Sequence, residues 1–571
     1  MKNASLRLSA LSLSLALLTS CATTTVTPTA SPAHQAALAQ LEGGQPREAA
    51  LALETQAGSL RGAARSQALA DAAWGWHLAG DGARAQSLLG QLNSRHLSGA
   101  SSQRYQLLQA IQAVAANQPA QALTLLGSTA AVHAPLQASW LLTTAAAHQA
   151  QGDLFAAAAA LSRALPVLDG AQRTQAQADL QRLLARVDDT SLRERSAALA
   201  VGDPFYNQAG RALIARGLTL PRPLQLDPAS LPDFSKRAAA ERDGYRPPGR
   251  IAVLLPLSGQ LATAAGPVRD GLLAGYYAEH RQRPELQFID TAGTAAGALA
   301  AYDRAVAAGA DYVIGPLGRD EVDALFARSP LPVPVQALNH GRTLPPQGHL
   351  AFSLAPEDDG VMAAEFLLAR ERSKALVIHS NDDNGRRAAA AFNTQFSQRG
   401  GQVLASVAVS DTPADISSQL QLPAEAVFLA VRGPQARALA PQLALAGLAG
   451  ATRVGSSQLT LGTGKPEEDQ VLDGIAFPDE RWSSQRVDGL PAANELAGRL
   501  PTARGAAARL FAFGHDAWKI SAYLPRLATS TDQGLPAATG LLYLDGSGQV
   551  LRRPVWSTFS GGHAQPIVDG R

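Results

Sequence analysis

The sequence predicts a chain of two architectures, an α-helical repeat solenoid followed by a doubly wound α/β region of two lobes. Three observations carry that expectation. Helical text recurs at intervals of 36, 37 and 35 residues, a proline-dense stretch comes after it, and short apolar runs then alternate with amphipathic ones. At 571 residues the chain is long enough for two or more domains. Apolar residues make up 46% of it and charged residues 17%, the balance of a globular protein with material for sizeable cores.

The N-terminus is unlike the rest of the chain. Lys2 and Arg7 precede an apolar run, Leu8 to Leu18, which is too short for a membrane span of about 20 residues and suits the apolar region of a secretory signal. The run ends in Leu18-Thr19-Ser20-Cys21, and Cys21 is the only cysteine of the chain. One thiol makes no internal disulfide and can hardly assemble a metal site. The segment resembles the lipobox of bacterial lipoproteins. That resemblance implies a signal peptide over residues 1–20, lipid attachment at Cys21 and, because Ala22 replaces the aspartate that retains such proteins in the inner membrane, sorting to the outer membrane. Residues 21–34, rich in Thr, Ala and Pro, read as a flexible stalk. The formal charge of +2 resides in Lys2 and Arg7, so the mature chain is near neutral and nothing in it calls for nucleic acid.

Residues 35–215 carry the repeats. "GQPREAALAL" begins at Gly44, "GDGARAQSLL" at Gly80, "NQPAQALTLL" at Asn117 and "GDLFAAAAAL" at Gly152. Each opens with a turn and places a small residue sixth, namely Ala49, Ala85, Ala122 and Ala157. A second apolar-periodic helix precedes three of the four. The pattern resembles tetratricopeptide repeats, with a spacing slightly above the usual ~34 residues. Trp74, Trp76 and Trp140 are expected in the helix seams. Such a solenoid is a spacer, or a concave groove for a peptide or partner.

Residues 216–249 hold Pro221, Pro223, Pro228, Pro232, Pro247 and Pro248. That density blocks continuous helix or sheet and predicts an interdomain linker that tolerates changes of length better than either domain. From 250 to 571 the text is βαβ. "IAVLLPL" (251–257), "LQFID" (286–290), "DYVIG" (311–315), "VPVQAL" (333–338), "ALVIHS" (375–380), "EAVFLAV" (425–431) and "TRVGSS" (452–457) are buried-strand candidates. Helical text lies at 296–309, 319–328, 359–371, 386–399 and 434–448.

The start "IAVLLPLSGQLATAAGPVRDGLLAGYY", with "DYVIGPLGRDEV" and "LAFSLAPEDDG", resembles type I periplasmic solute-binding proteins, which implies two lobes with a cleft between them. The whole arrangement, together with "VLDGIAFPDERW" (471–482) and "RLFAFGHDAWKISAYLPRL" (509–527), resembles the LpoA family, outer-membrane lipoproteins that activate a class A penicillin-binding protein. The resemblance implies a non-enzymatic partner of a peptidoglycan synthase, reaching from the outer membrane and stimulating transpeptidation. The alternative is a lipid-anchored solute receptor.

Position in the fold picks out the candidate site residues. Ligands of doubly wound folds sit beyond the carboxyl ends of the strands. That singles out Ser258, Gly259, Gly315, Asn339 and Asp383 for an interlobe cleft, although Ser258 is equally a helix cap and Asp383 belongs to a polar turn. Trp482, Arg552, Arg553 and Trp556 are candidate docking side chains, of the types that dominate interfaces; strand-end packing and solvated charge are the alternative. No H-E-x-x-H, G-x-S-x-G, S-x-x-K or Walker-A pattern occurs, and "GTGK" at 462–465 lacks the flanking residues. No catalytic residue, metal site or cofactor is expected.

Overall fold

The computed structural model describes residues 31–127, 132–235, 237–459, 465–529 and 534–568. Cys21 and the signal lie outside the described residues. The chain divides into two compact units between Ala150 and Gln151.

The first unit is a run of helix pairs: α1 (Pro32–Glu42), α2 (Pro46–Ser59), α3 (Gly62–Leu78), α4 (Gly82–Leu89), α5 (Gly99–Ala115), α6 (Pro119–Leu126) and α7 (Gln137–Ala150). The start of each repeat has a physical reason. Gly44, Gly80 and Asn117 hold φ at +81°, +84° and +56°, the left-handed residue that ends one helix before the next begins. The small sixth residues Ala49, Ala85 and Ala122 are buried, as are Trp74, Trp76 and Trp140 in the seams. One polar knot ties three helices together. Asp71 of α3 accepts from Arg104 of α5 at 2.8 Å and lies 2.9 Å from His34 of α1.

The second unit opens with four more helices, α8 (Leu154–Ala164), α9 (Gly170–Arg186), α10 (Asp189–Ala198) and α11 (Phe205–Ala215). The fourth repeat therefore belongs to the same compact body as the α/β region, and the chain does not divide at the proline-rich stretch. Among its described residues that stretch has no regular element beyond one 3-10 turn at Pro228–Ser230, as its prolines predict, yet it is no free linker. Leu220, Leu224 and Tyr245 are buried. Arg237 donates to the Ser521 carbonyl at 2.9 Å, the Arg246 amide to that of Ala522 at 2.8 Å, and the Tyr245 hydroxyl to that of Gln282 at 2.8 Å. It is a strap pinned along its length by these contacts.

The first lobe is then laid down as β1 (Arg250–Leu255), α12 (Ala262–Ala278), β2 (Glu285–Asp290), α13 (Ala295–Ala307), β3 (Tyr312–Ile314), α14 (Arg319–Phe326), β4 (Val335–Ala337) and β5 (Leu350–Phe352). The chain crosses to the second lobe for α15 (Pro356–Leu368), β6 (Lys374–Ser380), α16 (Asp383–Gln398), β7 (Gln402–Val409), β8 (Ala426–Ala430), α17 (Gly433–Leu445), β9 (Thr452–Gly455), α18 (Pro466–Asp469) and β10 (Ile475–Asp479). It returns through α19 (Arg481–Ser484) and α20 (Ala493–Arg499) to α21 (Ala506–Ala528), β11 (Leu535–Pro536), β12 (Leu541–Leu544) and β13 (Gln549–Arg553), then crosses a third time for β14 (Val555–Ser560) and β15 (His563–Pro566).

One sheet runs β11-β12-β13-β5-β4-β3-β1-β2 and the other β15-β14-β10-β9-β8-β6-β7. The pairs from β2 to β13 and from β7 to β10 are parallel; the last strands of each sheet are antiparallel. Helices cover both faces, which is why β1, β6 and β8 read as unbroken apolar runs. Helix α21 is bound to the first lobe by backbone contact. A Cβ on Gly271 of α12 would stand 1.8 Å from the Phe511 carbonyl oxygen, so only glycine permits the approach.

Candidate functional site

Three chain segments join the lobes, and each brings a charged residue to the same place. Asp359 stands in the first turn of α15 after the first crossing, Glu480 comes directly after β10 at the second, and Arg552 is the last residue but one of β13 before the third. Arg509, in the first turn of α21, completes the cluster. Its Nε lies 3.2 Å from Glu480 Oε1 and its guanidinium 3.9 Å from Asp359 Oδ1. Asp359 also accepts from the Ser457 amide at 3.2 Å and its hydroxyl at 2.6 Å. The neighbouring Asp479 accepts from the Ser483 and Ser557 hydroxyls at 2.7 and 2.8 Å, tying β10 to β14.

Both carboxylates are buried, Asp359 at 1% and Glu480 at 3% exposure. Burial pushes the Glu480 carboxyl up to about 7, with Arg509 and Arg552 opposing and Asp479 reinforcing the rise. Asp479 is raised by burial as well. The Arg552 guanidinium is lowered, first by burial and then by the charge of Arg509. Its Nη1 reaches the Thr539 carbonyl at 3.4 Å, while buried Nε and Nη2 make no hydrogen bond among the described residues. Two carboxylates and two guanidiniums thus meet at the hinge, and the Arg509–Glu480 pair crosses from one lobe to the other.

The residues singled out for the cleft lie at the strand ends, as expected, but their polar groups are engaged locally. Ser258 donates its hydroxyl to Asp290 at 2.6 Å and its amide to the same carboxylate at 3.2 Å; it neither caps α12 nor stands free. That hydrogen bond holds the Asp290 carboxyl below the usual range. Gly259 has φ +81° and lies against the Ala292 carbonyl. Gly315 has φ +104°, and a Cβ there would collide with the Leu254 carbonyl, so it serves strand packing. Asn339 donates to the Leu317 carbonyl at 2.9 Å and accepts from the His340 amide. Asp383 is the first residue of α16 and pairs with Arg387 at 3.4 Å, while Asp382 caps the helix through the Gly385 amide at 2.8 Å.

The four candidate docking residues gather at the second and third crossings. Trp482 is buried, stacked on Phe511 at 5.2 Å with its indole N–H on the Pro491 carbonyl, so it is core and offers no docking surface. Trp556 is half-buried with its ring 4.1 Å from that of Phe366. Arg552 belongs to the hinge cluster, and Arg553 beside it is half-exposed. Sequence reasoning missed Asp359, Glu480 and Arg509. A signal was available, since "PEDDG", "PDERW" and "RRP" each set charge beside proline where a strand ends.

The first unit has a groove of about 340 Å³ along helices α3, α5 and α7, walled by Trp74, His77, Ile111, Val114, Leu142 and Thr143. Burial lowers the His77 imidazole. Among the described residues no group of three or more His, Cys, Asp or Glu could hold a metal ion, and no helix is long and apolar enough to cross a membrane.

Among curated proteins, the penicillin-binding protein activator LpoA of Photobacterium profundum is 26% identical over 363 residues, 56% of this chain and 57% of that one. The protein of the same name from Pasteurella multocida is 25% identical over 318 residues, 55% of this chain and 54% of that one. The chain spans about half the length of the curated relatives it matches. Among solved structures, a monoclinic form of Haemophilus influenzae LpoA superposes with a TM-score of 0.57 at 19% identity, covering 94% of this chain and 98% of that one. Full-length LpoA of the same organism, in a second monoclinic form, gives 0.51 at 19% over the same shares. The likeness shows the fold, helical repeats followed by a two-lobed α/β region. The family model described as LppC putative lipoprotein matches residues 244–424 and 421–562. That is more than half of the chain, which belongs to this family.

Proposed function

We propose that this member of the LppC family is a non-enzymatic regulator of peptidoglycan synthesis, a lipoprotein that binds a class A penicillin-binding protein and stimulates its transpeptidase activity. The observation that carries the reading is the joint one: relatives named as penicillin-binding protein activators, and a fold match to LpoA over 94% of the chain. Stimulation requires that the protein bind a more active state of the synthase more tightly than the resting one. Lipid attachment at Cys21 and residence on the periplasmic side of the outer membrane complete the proposal. Several acyl chains at one cysteine suffice for stable anchoring, whereas a single chain is marginal. Arg553 and the half-buried Trp556 stay as proposed docking side chains.

The solute-receptor alternative asks for free polar groups in the cleft. Ser258 and Asn339 spend theirs on Asp290 and Leu317, which counts against it. The test is cross-linking of purified lipid II by a class A penicillin-binding protein of the same organism, with and without the full chain. A rise in peptide cross-links with direct binding to the synthase supports the reading. Unchanged cross-linking and no binding overturn it.

A further inference from the structure

Helices α9–α11 touch both lobes. On the first lobe, Arg211 of α11 pairs with Asp545 in the β12–β13 turn and donates to the Ser547 hydroxyl at 2.5 Å. Asn207, also of α11, accepts from the Gln225 amide at 2.7 Å and lies against Gly546 of that turn. On the second lobe, Arg399, just past α16, donates to the Ala185 and Val187 carbonyls at 3.0 and 3.3 Å. It also reaches Asp189 at 3.2 Å and, within its own lobe, Glu365 at 3.2 Å. Those carbonyls are the unpaired last turn of α9, where cations are favoured by the helix dipole. Arg216, buried to 2% side-chain exposure, donates to the Val187 and Leu184 carbonyls of the same turn at 2.8 and 2.7 Å.

We propose that α9–α11 form a brace that fixes the angle between the two lobes from outside, with Arg211 and Arg399 as its two ends, so that lobe geometry is set by the helical segment and not by a solute in the cleft. Opening the lobes about the three-segment hinge would separate Arg399 from the end of α9 or Arg211 from the β12–β13 turn. It would also break the Arg509–Glu480 pair inside. An interlobe hinge closed from both sides has one preferred setting, and a force or partner that displaces α9 is the route by which that setting changes. The inference does not rest on the activator reading and survives its failure.

The test is a distance measurement between spin labels at Ala300→Cys on α13 and Leu445→Cys on α17, in the full chain carrying Cys21→Ser, which leaves no other thiol. The intact brace gives one narrow distance distribution. Arg399→Ala and Arg211→Ala each add a second, longer-distance population, Arg399→Lys adds a smaller one, and Arg386→Ala, an exposed neighbour on α16, adds none. An unchanged distribution in the folded Arg399→Ala and Arg211→Ala chains overturns the proposal. So does a parent chain that already shows two populations, and that outcome needs no variant to fold.

Discussion

Helices α2–α7 and helices α9–α11 arise from one stretch of Ala- and Leu-rich text, and they differ in the chemistry that is added to an apolar seam. The seams of the first group are filled by Leu53, Trp74, Trp140 and the small sixth residues, and Gly75 lets α3 lie against Ala50. The second group buries Leu180, Leu192, Phe205 and Leu213 in the same way and adds guanidiniums where it meets the lobes: Arg216 and Arg399 fan over the carbonyls at the end of α9, and Arg211 grips a hairpin turn. An apolar seam stabilises wherever shapes match, whereas a guanidinium on a helix end reads direction and place. The period of a repeat therefore reports how a helix meets its chain neighbours. It is silent on which compact body the helix joins.

The comparison breaks most sharply at Leu53, which is fully buried in the first group. Leu53→Ala is expected to cost about 2–5 kcal/mol, lost transfer energy plus a cavity, and urea unfolding combined with hydrogen exchange should place the loss in α2 and α3. At the other pole, Arg216→Ala removes one of the two guanidiniums on the α9 carbonyls and should cost about 2 kcal/mol, with protection lost at the end of α9 and retained in α3. A cost below ~0.5 kcal/mol would mean that the cap is no stronger than a surface pair.

The hinge offers a third contrast, in pH. The Glu480 carboxyl at about 7 lies above its ordinary 4.5, so the folded chain keeps a proton that the unfolded chain has released. Its contribution is complete below pH 4.5 and is lost as pH rises through about 7. Glu480→Gln should flatten the fall of Tm across that window, and a slope equal to the parent's would remove Glu480 from the account. The smallest effect is expected at Arg84, whose pair with Glu54 at 3.0 Å is largely exposed. Arg84→Ala should cost about 0–1 kcal/mol, and salt should erase the difference.

Most of the fold was legible. The strand candidates from "IAVLLPL" to "TRVGSS" became β1, β2, β3, β4, β6, β8 and β9, and β1, β6 and β8 among them are covered on both faces, where a strand reads as a near-continuous apolar run. Strand β7 was not among them; it lies at a sheet edge and is largely accessible, as is β2, which its apolar text "LQFID" nevertheless revealed. The strap was legible as irregular chain but not as pinned chain, because its anchors in α21 lie 284 and 283 positions away. Distance in sequence also hid the hinge cluster. Asp359, Glu480, Arg509 and Arg552 are ordinary charged residues until three crossings bring them together. Position at strand ends singled out Ser258 and Asn339 for an interlobe cleft, but only the folded chain reveals that Asp290 and Leu317 already engage their polar groups.

The threefold crossing has a consequence in time as well as in space. Strands β11–β13 complete the first sheet and β14–β15 the second, all within residues 535–566. A chain emerging from its N-terminus can seat its repeats early, yet it holds two sheets with raw edges until its last strands arrive. Such late, long-range pairing is slow and leaves strand edges open to the wrong neighbours. Loss of the final thirty or so residues would therefore leave both lobes unfinished at once, and the repeats alone would report a folded protein.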